Sequence, residues 1–143
     1  MSHSPEQVIA GLVARDAFSQ WLSIDVLDAR VGYSRIRMTV RADMVNGFGT
    51  SHGGIVFSFA DSAFAFATNA AGTLAVAIDA SISFPVVVQV GDVLTAIAEQ
   101  ESVTNKLGFC NVTVRNQHDV TVGHFRGTVY RTNRAHSPSD ASP

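Results

Sequence analysis

The sequence predicts an α+β fold: an antiparallel sheet of about six strands wrapped around a long central helix, with a further helix at the N-terminus. Three observations carry this expectation. Six stretches alternate apolar with polar residues or are rich in β-branched side chains, and turn residues separate several of them. Between the second and third lies a run, 53–70, that is apolar on nearly every side and too long for one strand. The 143 residues suit a single domain with a sizeable core.

Ser4, Pro5 and Glu6 resemble a helix start, and Val8, Ile9, Leu12, Val13 and Phe18 follow at helical spacing, which predicts one helix over 5–21. "SIDVLDARVG" and "YSRIRMTVRA" read as a hairpin. In the second, Ser34, Ile36, Met38 and Val40 alternate with Tyr33, Arg35, Arg37 and Thr39. After the apolar helix come "TLAVAIDASISF", "DVLTAIAEQESV", "LGFCNVTVRNQ" and "VTVGHFRGTVYRT", with turns at Asn105-Lys106 and His118-Asp119. A domain over 1–132 and a polar, disordered tail over 133–143 are expected.

Composition narrows the function classes. A net charge of −2 gives no electrostatic footprint for nucleic acid or an anionic membrane. The apolar run is interrupted by Ser58, Asp61, Ser62, Thr68 and Asn69, so it reads as a core helix and not as a bilayer span. The N-terminus lacks the pattern of a signal peptide, and Cys110 is the single cysteine, so a cytoplasmic protein without an internal disulfide is expected. Cys110 sits in a strand pattern and reads as core or pocket lining. The histidines at 3, 52, 118, 124 and 136 form no metal-ligand spacing, and no metal is expected.

The chemistry concentrates in "NGFGTSHGGIVFSFADSAFAFATNA", residues 46–70. A glycine-rich loop feeds a helix start, where backbone N–H groups lack partners and the helix dipole is positive. Gly53 and Gly54 would let a polarised carbonyl oxygen approach those groups closely. Asn46 offers a second donor. An ordinary glycine turn is the competing reading. Asp61 stands among Phe57, Phe59, Phe64 and Phe66, where a bare carboxylate is costly. It could pair or cap structurally, or act as nucleophile or general base. Eight residues separate Gly53 from Asp61, about 12 Å along one helix. If both act on one carbon, they come from different subunits, with two such helices antiparallel about a two-fold axis.

The stretch "MVNGFGTSHGGIVFSFADSAFAFATN" resembles the signature of hotdog-fold acyl-CoA thioesterases, in particular the phenylacetate-degradation (PaaI) group. Asn-Gly-x-Gly-x-x-His-Gly-Gly is followed by Asp seven residues after the second glycine of His-Gly-Gly. "GDVLTAIAEQ" and "FRGTVYR" are also similar, so the resemblance spans 42–131. It implies a hotdog fold and hydrolysis of an acyl-CoA, with aryl-acetyl groups among the possible acyl groups. Coenzyme A is then part of the substrate, and no other cofactor is needed. Asp61 would be the nucleophile or the base that activates water. The Gly53 N–H and the Asn46 amide would hold the thioester oxygen. His52 would help shape the loop and donate a hydrogen bond, or be a loop histidine with a structural partner; Gly54 would support the site or bind substrate, and Ser62 would face substrate or backbone. A dimer with shared sites, paired again into a tetramer, is implied.

Two departures stand out. The group often carries Arg-Pro after the third strand, near the CoA phosphates; here "SFPVVVQVGD" has Pro85 and Val86 and no arginine. Lys106, Arg126, Arg131 and Arg134 are the alternative phosphate contacts. Ala77 occupies a place where relatives often have serine or threonine, with Ser81 or Ser83 as substitutes. Two other readings compete with hydrolysis: a hotdog dehydratase or hydratase of 3-hydroxyacyl or enoyl thioesters, which would need a His–acid pair, and a non-enzymatic acyl-CoA-binding module, which would not need Asp61.

Overall fold

A computed structural model describes residues 3–136. Helices α1 (Pro5–Arg15) and α2 (Ala17–Trp21) precede the hairpin of β1 (Asp25–Arg30) and β2 (Tyr33–Thr39). A short 3₁₀ turn (Ala42–Met44) and a loop lead into α3 (Gly53–Asn69). Strands β3 (Thr73–Ser83), β4 (Val93–Val103), β5 (Leu107–Arg115) and β6 (Thr121–Ala135) complete the chain. All six strands join one antiparallel sheet in the order β1-β2-β4-β5-β6-β3.

Helix α3 packs against every strand. One face of each central strand meets it: Ile36 and Met38 of β2, Leu94, Ala96 and Ala98 of β4, Val112 and Val114 of β5, Phe125 and Val129 of β6. Small residues let the helix lie close. The Phe64 ring rests on Gly127, where an added Cβ would come within 2.6 Å of it. α1 covers part of the opposite side of α3 and packs on β1.

Two expectations are corrected. The N-terminal helix is not continuous: Asp16 leaves helical geometry (φ −91°, ψ 85°), ends α1 and caps α2 by accepting the Ser19 N–H. The tail does not begin at 133, because β6 runs to Ala135. Its backbone pairs with Thr73, and the Thr132 hydroxyl donates to the Leu74 carbonyl. Ladder pairing satisfies that backbone whatever its side chains. The rest of the predicted tail, 137–143, lies outside the described residues.

Candidate active site

The loop 46–52 is organised by Asn46. Its side-chain oxygen accepts the N–H groups of Phe48 (2.9 Å) and Thr50 (3.2 Å), and its amide donates to the Thr50 hydroxyl (3.1 Å). The two backbone donors fix which amide atom is oxygen, and one of the two amide N–H bonds remains without a partner among the described residues. Asn46 N–H also bonds the Thr50 carbonyl at 2.8 Å. The loop is therefore rigid at its base, while Phe48 stands 92% exposed at its tip.

His52 is the N-cap of α3. Its Nδ1 accepts the Gly54 N–H at 2.8 Å, so the neutral ring carries its proton on Nε2. Its carbonyl accepts the Ile55 N–H at 3.0 Å. These bonds occupy Gly54 and leave the Gly53 N–H as a donor without a partner among the described residues. An added Cβ on Gly53 would lie 3.3 Å from the Phe84 ring, so that half-exposed ring flanks the free N–H.

Asp61 lies two turns further along α3. No hydrogen bond or ion pair reaches its carboxylate among the described residues. It is partly buried, and its pKa is raised above 3.8, first by loss of water and then by the negative charge of Asp16. Ser62 is buried, and its hydroxyl lies 2.8 Å from that of Ser19 on α2.

The structure thus brings Asn46, His52, Gly53 and Gly54 together and holds Asp61 two turns away along the same helix. The four cations lie elsewhere. Lys106, Arg131 and Arg134 occupy the end of the sheet where β3 begins, beside the C-terminus of α3, and Arg131 donates to the Thr104 carbonyl at 2.5 Å. Arg126 is exposed on β6 between the inward residues Phe125 and Gly127, and it pairs with Glu101 at 3.8 Å. Cys110 is buried in the core, which pushes its thiol up to about 12 and leaves it inert as a nucleophile. No cluster of metal ligands exists among the described residues. Sequence reasoning missed Thr50 and Phe84 as neighbours of the loop, Asp16 as a charge acting on Asp61, and Ser19 as the partner of Ser62. Only the Asp16-x-x-Ser19 pair carried a local signal, that of a helix cap.

The comparisons converge on one family. A model of the thioesterase superfamily matches residues 48–122. The acyl-coenzyme A thioesterase PaaI of Escherichia coli K12 is 38% identical over 131 residues, covering 92% of this chain and 94% of that protein. The solved structure of the E. coli PaaI protein superposes with a TM-score of 0.91 at 36% identity, covering 95% of this chain and 99% of that one. A mutant of the phenylacetic acid degradation protein PaaI from Thermus thermophilus follows at 32% identity and TM-score 0.79, covering 82% of this chain and 100% of that one. The six-stranded sheet around α3 agrees with these findings: the chain belongs to the thioesterase superfamily, as a hotdog-fold enzyme of the PaaI type.

Proposed function

We propose that this protein hydrolyses acyl-CoA thioesters to a free acid and coenzyme A in the cytoplasm. The observation that carries the reading is a pair: an N–H at the start of α3 and a carboxylate on the same helix, each without a partner among the described residues, the carboxylate raised in basicity by burial. The thioester oxygen accepts from Gly53 N–H and from the spare N–H of Asn46, which stabilise the charge that develops there. Asp61 attacks the carbonyl carbon or takes a proton from the attacking water. The carbon–sulfur bond breaks, and the thiolate leaves and is protonated; where water attacks, the acid forms directly and the water's proton passes through Asp61, and where Asp61 attacks, water then cleaves the Asp61–acyl anhydride, releasing the acid and restoring the carboxylate. His52 keeps the loop in register by occupying Gly54.

The site is shared in this proposal. Gly53 and Asp61 are about 12 Å apart along one helix, so Gly53 of the partner subunit serves Asp61. The open edge of the sheet supports this. β3 is an eleven-residue edge strand with Val76 and Ile78 exposed, and Phe84 and Val87 follow it. Such an edge is a template for pairing with a second copy. The Phe84 ring lies 3.3 Å from where a Cβ on Gly53 would stand, so pairing there brings the two α3 helices together. In that antiparallel arrangement Lys106, Arg131 and Arg134 flank the loop of the partner and suit the CoA phosphates. Arg126, engaged by Glu101 and facing away from α3, suits them less. A tetramer of two such dimers is the proposed assembly. An aryl-acetyl group is the proposed acyl group, since the E. coli relative is described as coming from the phenylacetic acid degradation operon.

Two measurements test the reading. Thiol release from a panel of acyl-CoAs should appear without change in enoyl-CoA absorbance; absorbance change without thiol would mean hydration instead. Asp61→Asn and Asn46→Ala proteins, each inactive, should regain activity when denatured and refolded together, because each hybrid dimer holds one intact site. Verified hybrids without activity would mean that each chain builds its own site.

A further inference from the structure

Asp16 closes α1 and opens α2, and each of its carboxylate oxygens accepts one hydrogen bond there. It accepts the Ser19 N–H at 2.9 Å and the Ser19 hydroxyl at 2.5 Å. A serine hydroxyl has one proton, and that of Ser19 goes to Asp16. In the 2.8 Å contact between Ser19 Oγ and Ser62 Oγ, Ser62 is therefore the donor. A directed chain runs from Ser62 on α3 through Ser19 on α2 to Asp16. Ser19 is 1% exposed and Ser62 8%, so water does not compete for these bonds. Ser62 is the neighbour of Asp61.

We propose that Asp16 is a positioning residue of the thioesterase site: through Ser19 and Ser62 it fixes the N-terminal helical layer on α3 beside Asp61 and holds a second negative charge against the reacting carboxylate. The proposal rests on the catalytic reading of Asp61 given above. Other charged groups near this part of α3 do not take that place. The strands present apolar or hydroxyl side chains to the helix. Arg15 and His136, with Asp16, line a cavity of about 230 Å³ one turn beyond Asp61, and the partner's His52 would stand near in the dimer. Among the described residues, the charge of Asp16 raises the pKa of Asp61, second to burial.

The physical consequence has a definite sign. A nearby negative charge disfavours ionised Asp61 and raises its pKa. A more basic carboxylate is a better general base or nucleophile once ionised, at the cost of activity in acid. An ordinary cap would stabilise α2 and leave the pH dependence alone.

The test is the pH profile of kcat/KM for acyl-CoA hydrolysis by the wild type, Asp16→Asn, Asp16→Glu and Asp61→Asn. Asparagine caps α2 as well as aspartate does but carries no charge. Asp16→Asn should move the acid limb to lower pH and lower kcat on the plateau, with KM little changed. Asp16→Glu should return the limb toward that of the wild type. If Asp16→Asn does not fold, Asp16→Ser, another uncharged cap, reads the same limb. A limb that coincides with the wild type in the uncharged variant, or that moves equally in Asp16→Glu, overturns the inference. Wild-type turnover by Asp61→Asn would instead overturn the catalytic reading on which it rests.

Discussion

Replacing Asn46 by aspartate separates the two tasks its side chain performs. The oxygen that accepts from Phe48 N–H at 2.9 Å and Thr50 N–H at 3.2 Å is retained, and the Thr50 hydroxyl can turn to donate to the second oxygen. What disappears is the pair of amide N–H bonds, including the one proposed to hold the thioester oxygen. Asn46→Ala, by contrast, removes both backbone anchors, at about 1 kcal/mol each, and loosens the loop as well. Loss of one donor of an oxyanion site costs about 10²–10³-fold in kcat, or roughly 2.7–4 kcal/mol. Asn46→Asp should therefore show that loss in kcat with a nearly unchanged melting temperature, and Asn46→Ala should add a rise in KM. The assay is steady-state thiol release, with thermal unfolding followed alongside. An Asn46→Asp enzyme with wild-type kcat would show that the amide is only a loop anchor.

Two further outcomes concern stability. Asp61 has a raised pKa in the folded chain, so its contribution to stability is fully present below the ordinary value of 3.8 and is lost as pH rises through the folded value. Asp61→Asn should accordingly melt higher than the wild type at pH 7, with the difference closing below pH 3.8; equal melting temperatures at pH 7 would contradict the desolvation of this carboxylate. At Gly127 an added methyl would meet three carbons of the buried Phe64 ring at 2.6, 2.8 and 2.9 Å, so Gly127→Ala should cost about 1–3 kcal/mol, read as a lower urea midpoint. Phe64→Leu in the same chain should recover part of that loss; an unchanged midpoint in the single variant would show that the ring is free to move.

The fold was legible where side-chain period and burial coincide. Alternation at 34–40 marked β2 because Ser34, Ile36, Met38 and Val40 all turn inward. The near-total apolarity of 53–70 marked α3 because a sheet wraps it. The position of β3 was not legible: nothing in "TLAVAIDASISF" says that it pairs with the distant β6 and forms the sheet edge. The break at Asp16 was hidden because apolar residues continue at helical spacing on both sides of it, and the competing cap hydrogen bond decided the outcome. At the site, the glycines and Asp61 stood out by their chemistry with structural and catalytic readings both open, and the resemblance to the PaaI group is what favoured the catalytic one. The cap by His52 was not, because histidine is not among the usual capping residues, and the bond depends on a ring nitrogen 2.8 Å from Gly54 N. Ser62 was visible as a polar residue in an apolar helix, but its partner Ser19 lies 43 residues away, beyond any local pattern.

The central claim is that Asp61 carries the chemistry. Asparagine has the same shape and relieves the desolvation of the carboxylate, so Asp61→Asn should fold and assemble. Its turnover with a substrate of the wild type, measured by thiol release at the plateau pH, is the direct test. A positioned acid–base group contributes about 10²–10⁴-fold, and Asp61→Asn should lose turnover on that scale. A folded, dimeric Asp61→Asn protein that releases thiol at close to the wild-type rate would contradict it.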